Sequence, residues 1–398
     1  MYRFSWRMDN SMKTQDVSDN VEKLAIIYRA KKTNEERRKV RDILVTLSGF
    51  SKDYAAKLLR GNRVRTGQKT RRGLTYSEEV RNMLIELWER AGCPNTKALR
   101  ARIDRFVEEL GEVRHLHPEI ADRLRRMSAS TMDRILRGRP RKKPGFTVKR
   151  KAPRAPSAAQ ALATEISGEA IPAYLCKPGE VQVDTVALCG GDMSGNFHWI
   201  LTVTDRVTLW TEIRCVWNKG AEGVFAALED ALASFPYKVR ILHFDNGNEF
   251  MNAHLLAFVR RHPEYTYQRS RPRQKNDNAH VEQRNYSLVR ANFGYGRYDN
   301  RAQTEALNHQ CVKISCHHNY CLPTMTLCSK APHPSGKGCA RRYSPPITPA
   351  QRLLEHPGLR LRYRAALKRR LSTFNALILT EQITRALVRL RRDATLQG

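Results

Sequence analysis

The sequence is poor in acidic residues. It contains 39 Asp and Glu against 71 Lys and Arg, which gives a formal net charge of +32 and a pI near 10.2. A well-mixed protein surface would carry compensating acids. The imbalance therefore predicts a polyanionic partner, most simply nucleic acid.

Long apolar runs and secretion signals are also missing. No apolar run is long enough to cross a bilayer, and the first ten residues have no signal-peptide core. These absences predict a cytoplasmic protein with no membrane partner. Nine cysteines without a secretory signal predict reduced thiols and not a disulfide framework. No two of the last five, from Cys311 to Cys339, have the CxxC spacing, so we do not expect a zinc site there.

Composition and periodicity divide the 398 residues into six segments. They are a flexible N-terminus, two helical modules, a basic linker, an α/β domain and a basic C-terminal region. The predicted boundaries are 1–20, 21–73, 74–136, 137–173, 174–300 and 301–398.

The first helical module has the pattern of a helix-turn-helix. A helix and a Gly-containing turn precede a short helix, for which Ser51 is the expected N-cap and Gly61 the expected stop. Basic side chains on the short helix and after it suit phosphate contacts. The candidate DNA contacts are Lys57, Arg60, Arg63 and Arg65. An ordinary three-helix bundle is the alternative interpretation.

The second module ends in a similar turn and short helix over residues 127–136, with Met132, Ile135 and Leu136 expected to face inward. On the other face the candidate DNA contacts are Ser130, Thr131 and Arg134, and simple packing is the alternative. Residues 137–154 then contain many basic side chains and no acid. Such a run is typical of a solvated linker or of an arm along DNA. Its candidate DNA contacts are Arg141, Lys142 and Lys143.

The α/β domain alternates strand and helix patterns. Strands are predicted at 181–188, 198–204, 208–216, 239–244 and 265–268, with helices at 220–235, up to 259, and around Glu282. The β-β-β-α-β-α-β-α order predicts a mixed sheet with helices on its faces. The predicted fold class is therefore an α/β core preceded by all-α modules.

Three carboxylates in this domain lie where a metal site could form. Asp184 is near the middle of the first strand, and Asp245 ends the fourth strand at an Asp-Asn-Gly turn. Glu282 lies about one turn into a helix that starts near Lys275. Carboxylates are the ligands from which a two-Mg²⁺ phosphoryl-transfer site is built. Asp205, at a strand end, is better explained by pairing with Arg206 or by a turn role.

Three stretches around these carboxylates, QVDTV, HFDNGNEF and KNDNAHVEQRN, carry a family resemblance. The chain from about residue 180 to 300 resembles the integrase-type DDE transposases of bacterial insertion sequences, in the retroviral-integrase superfamily. The three acids are separated by 61 and 37 positions, which is close to the spacing that is usual in this family. The resemblance implies a ribonuclease-H-like integrase catalytic core for residues 174–300.

The resemblance also implies a chemistry. Asp184 would bridge two Mg²⁺ (or Mn²⁺) ions, with Asp245 a ligand of one and Glu282 a ligand of the other. The enzyme would cleave DNA at its element ends and join them to target DNA, working as a homo-oligomer in the bacterial nucleoid. The candidate donors to substrate phosphates are Lys275, Arg284 and Arg290. Where the family often has a basic residue, four positions after the glutamate, this chain has Tyr286.

Two alternatives stay open. One is a plain ribonuclease-H-like nuclease or a phage-type integrase. The other is an inactive or domesticated sequence-specific DNA-binding protein. Residues 308–345 do not have the pattern of the smooth helix that the resemblance implies there.

Overall fold

The computed structural model describes residues 13–61, 76–139, 177–218, 220–244, 253–269, 279–332 and 339–392. The chain forms two compact units, one ending at Thr75 and one beginning at Tyr76.

The first unit is a group of three helices. They are α1 (Lys13–Ala30), α2 (Asn34–Ser48) and α3 (Lys52–Leu59). α2 ends at Gly49, whose φ of 69° lies in the left-handed region that favours glycine. Ser51 Oγ then accepts a hydrogen bond from the Tyr54 N–H, which confirms Ser51 as the N-cap of α3. Leu44 and Leu58 lie in the small core between the helices.

The second unit starts with five helices. They are α4 (Glu78–Arg90), α5 (Thr96–Ala101), α6 (Ile103–Val113), α7 (Pro118–Arg126) and α8 (Ala129–Leu136). Ser77, Asn95 and His117 act as N-caps, because each accepts a hydrogen bond from the first turn of its helix. The break at Arg102 between α5 and α6 was not predicted.

A five-stranded mixed sheet follows, as predicted. Its strands are β1 (Glu180–Ala187), β2 (His198–Asp205), β3 (Thr211–Trp217), β4 (Ile241–Phe244) and β5 (Thr266–Arg269). The order is β3-β2-β1-β4-β5. β2 is antiparallel to both β1 and β3, and β4 is parallel to both β1 and β5. The helices between and after the strands are α9 (Ala221–Ala233), α10 (Ala253–Arg261), α11 (Ala279–Arg284), a π-helix (Asn285–Arg290) and α12 (Ala291–Phe293).

Helices cover both faces of the sheet. Val181 and Val183 of β1 lie in one core cluster with Leu228 of α9. Val186 lies in another with Leu288 of the π-helix. Since successive side chains of a strand point to opposite faces, the even-numbered residues of β1, including Asp184, lie on the face covered by α11 and the π-helix.

Residues 304–321 form a helix that covers the edge of the sheet. It consists of α13 (Thr304–Cys316) and a π-helical turn (His317–Cys321). The outward N–H groups of edge strand β3 donate to its side chains, in the pairs Thr211 to Asn319, Ile213 to Ser315 and Cys215 to Asn308. Residues 308–345 were expected to lack a smooth helix, and only their first part, up to Cys321, is helical. The polar side chains of that part satisfy strand groups that would otherwise be unpaired.

The C-terminal elements of the second unit pack against its first helices and against the helix of residues 304–321. It comprises β6 (Leu327–Pro332), β7 (Cys339–Tyr343), α14 (Pro349–Glu355), α15 (Leu361–Thr373) and α16 (Ala376–Arg392). The buried Glu109 of α6 accepts hydrogen bonds from Arg102 and from the Ala376 N–H at the start of α16. None of the helices in the described ranges has the length and apolar character needed to cross a membrane.

Candidate functional site

Asp184 is held on the sheet by its neighbours. It is half-buried on β1, directly opposite Thr202 of β2. Its Oδ2 accepts a hydrogen bond of 2.6 Å from Asn285 Nδ2, and its Oδ1 accepts one of 2.7 Å from the Thr185 N–H. Hydrogen bonds to a carboxylate fix its direction.

The start of α11 is attached to the same face of the sheet. The Val281 N–H donates to Gln182 Oε1 across 3.2 Å, and Val281 itself is fully buried. This contact leaves Glu282 exposed. Glu282 and Asn285 are three residues apart, so they lie on neighbouring positions of one helix face. Asp184 and Glu282 are thus carried by elements that are bonded to each other.

Asp245, the remaining predicted metal ligand, lies outside the described residues. The strand before it is well defined: in the parallel pair of β1 and β4, Gln182 is opposite His243 and Val183 is opposite Phe244. The next residue of β1 is Asp184, and the next residue after Phe244 is Asp245.

Two buried oxygen atoms beside Asp184 have no hydrogen-bond partner among the described residues. They are Thr202 Oγ1 and Asn285 Oδ1. A buried polar atom that is left without a partner costs free energy. Both oxygens are therefore suited to a polar ligand next to Asp184. Within the same part of the chain, no three His, Cys, Asp or Glu side chains are grouped closely enough to hold a metal ion.

Sequence reasoning missed Asn285 and Gln182, which position the site. The family resemblance directed attention to the position four residues beyond Glu282. That residue is Tyr286, whose side chain is 69% exposed. The signal for Asn285 was its i, i+3 spacing from Glu282. For Gln182 the signal was a polar residue two positions before Asp184, on the same strand face.

Asp205 has the turn role that the sequence indicated. It is fully buried, and it accepts hydrogen bonds from the N–H groups of Gly179, Val207 and Thr208. Burial raises the pKa of Asp205, while these bonds act in the opposite direction. This carboxyl group therefore closes the turn between β2 and β3.

The predicted DNA contacts on α3 and α8 are mostly at the surface. Lys57, Arg60, Ser130 and Arg134 are exposed, while Thr131 is half-buried and accepts a hydrogen bond from Arg134. Met132 and Leu136 are buried, as predicted. The predicted contacts outside the described residues are Arg63, Arg65, Arg141, Lys142, Lys143 and Lys275.

The two predicted phosphate donors after Glu282 are less accessible. Arg284 is 6% exposed, and burial lowers its pKa to about 10, with Arg352 adding to the shift. Arg290 is half-buried, donates to the Gly294 carbonyl and lies 5.0 Å from the centre of the Tyr295 ring. A phosphate contact by Arg284 would require its side chain to be uncovered.

One curated relative places the chain in a family. Over 343 residues the chain is 32% identical to the uncharacterized protein y4rM of Sinorhizobium fredii, an alignment that covers 82% of this chain and 93% of the relative. The chain belongs to the family of that protein. No protein-family model matches the chain.

Proposed function

We propose that the protein is a DNA transposase that cleaves DNA at its element ends and joins the ends to target DNA. The observation that carries the proposal is the attachment of α11 to β1 through two contacts, Asn285 to Asp184 and Val281 to Gln182. They bring the helix with Glu282 onto the strand with Asp184.

The register of the sheet supports a third carboxylate at the same place. Asp184 and Asp245 each follow a member of the pair Val183 and Phe244. We infer from these equivalent positions in the sequence that Asp245 acts together with Asp184. Asp184, Asp245 and Glu282 would then form one site.

The donor set suits Mg²⁺ or Mn²⁺. Hard cations take oxygen ligands, and the site offers carboxylates together with the unpartnered Thr202 Oγ1 and Asn285 Oδ1. Asp184, Asp245 and Glu282 would hold two ions, which supply charge to the attacking and leaving oxygens of a phosphodiester. The role of Asn285 is to orient Asp184, and Gln182 fixes the start of α11 against β1.

The rest of the molecule supports a DNA substrate. The element order is the one that the ribonuclease-H-like resemblance implies. The three helices of the first unit and α8 present exposed polar and basic residues that suit helix-turn-helix contacts with the element ends. A formal charge of +32 suits a polyanion. We place the protein in the bacterial cytoplasm, on the nucleoid, as a homo-oligomer that holds two ends together.

Strand transfer with purified full-length protein tests the proposal. The substrate is labelled DNA with the termini of the encoding element, and wild type is compared with Asp184→Asn in Mg²⁺. Asp192→Asn is the matched control, because Asp192 is an exposed turn residue bonded to Ser194. We expect joined products from wild type and the control and none from Asp184→Asn.

Other outcomes would replace the proposal. Cleavage without joining would favour a nuclease. Bound but uncut DNA from all three proteins would favour a sequence-specific DNA-binding protein without catalysis.

A further inference from the structure

A cationic cavity lies at the end of the sheet where β1 and β4 begin. Its volume is about 370 Å³, and loops before β1 and β4 form its wall together with the α14–α15 connection. Its basic lining residues are Lys177, Lys238, Arg240, His356, Arg360 and Arg362. Among the residues that the structure describes, none of those lining the cavity is acidic. This group of residues is called the basal pocket below.

The cations of the basal pocket are not neutralised within the described part of the chain. Lys177, Lys238, Arg240, Arg360 and Arg362 are exposed, and none of them forms an ion pair there. A backbone hydrogen bond and a hydrogen bond with His262 lower the pKa of Glu264, and Lys238 adds a smaller contribution. Like charges crowded in one place repel each other, so an anion in the pocket would stabilise the folded protein.

The backbone holds the pocket wall in place. A Cβ at Gly179, where φ is 104°, would lie 2.6 Å from the Lys238 carbonyl oxygen, so the two loops can approach only because residue 179 is glycine. Arg240 Nη2 also donates to the Pro178 carbonyl across 3.1 Å. The cations from the two loops are therefore presented together.

We propose that the basal pocket binds backbone phosphates of DNA. Lys and Arg side chains donate hydrogen bonds to phosphate oxygens. The pocket is open, and three chain segments contribute its exposed cations. This arrangement suits the extended backbone of DNA better than a small enclosed anion. Asp184 is four positions along β1 from Glu180, or about 13 Å, which is about the axial rise of four base pairs of duplex DNA. The inference rests on the proposed DNA substrate but not on the proposed catalysis.

The salt dependence of DNA binding tests this inference. We would measure the Kd of full-length protein for a labelled duplex in EDTA at several salt concentrations, so that no cleavage occurs. The pocket variant is Lys238→Gln with Arg360→Gln. The control is Arg301→Gln with Arg389→Gln, which removes two exposed cations outside the pocket. Each lost phosphate contact lowers the slope of log K against log salt by about 0.9, so we expect a decrease of about 1.8 in the pocket variant only.

Two results would overturn the inference. One is a slope that is unchanged in the pocket variant or that falls equally in the control. The other is thermal stabilisation of wild type by inorganic tripolyphosphate that the pocket variant loses while its DNA slope is unchanged, because the pocket would then serve free anions. A protein that shows the expected slopes but never joins strands would contradict the transposase proposal and leave this inference standing.

Discussion

Asn285→Ala should weaken the proposed metal site without unfolding the protein. The substitution removes the 2.6 Å hydrogen bond to Asp184 Oδ2. A hydrogen bond to a charged group contributes about 1.5–3 kcal/mol. The loss of a partner that orients a metal ligand typically costs about 10- to 100-fold in metal affinity or activity. We therefore expect the Mg²⁺ concentration for half-maximal strand transfer to rise by about 10- to 100-fold.

The assay is strand transfer as a function of Mg²⁺ concentration, with thermal unfolding measured in parallel. Asn292→Ala is the control, because Asn292 is also half-buried on this helical segment and its Nδ2 donates to the Leu288 carbonyl. It should shift the Mg²⁺ midpoint by less than about twofold. An Asn285→Ala midpoint within about twofold of wild type would refute the positioning role of Asn285.

Two further predictions concern buried charges. Burial raises the pKa of Glu212 from its ordinary 4.5 to about 7, against the opposing effect of Arg214. The folded state therefore holds the proton more tightly, and stability should fall by about 3 kcal/mol as pH rises from 4.5 to 7. Glu212→Gln should remove that slope in urea unfolding, and an unchanged slope would contradict this. Glu109→Ala should lower the free energy of unfolding by about 3–5 kcal/mol, because it leaves buried Arg102 without its carboxylate partner. The exposed Glu108→Ala should cost less than about 1 kcal/mol, and equal losses would contradict the role given to Glu109.

The sheet could be predicted because its strands have clear local patterns. Alternating apolar residues mark β1 and β4, and turn residues mark their ends. The cap Ser51 marked the start of α3 correctly for the same reason, since an N-cap acts within four residues of itself.

Local sequence patterns could not predict the helix of residues 304–321 or the hydrogen bond that positions Asp184. Asn308, Ser315 and Asn319 look unfavourable for a helix until the N–H groups of β3 are placed opposite them. Asn285 acquires its role only when α11 contacts β1. Both depend on contacts between residues about 100 positions apart, and local propensity holds no information about such contacts.

Equilibrium binding of Mn²⁺ to the full-length protein on element-end DNA tests the central claim most directly. The claim is that Asp184, Asp245 and Glu282 act as one metal site. We expect wild type and Asp192→Asn to bind two ions, and each of Asp184→Asn, Asp245→Asn and Glu282→Gln to lose at least one of them. Unchanged Mn²⁺ binding in all three variants, with intact folding, would contradict the claim.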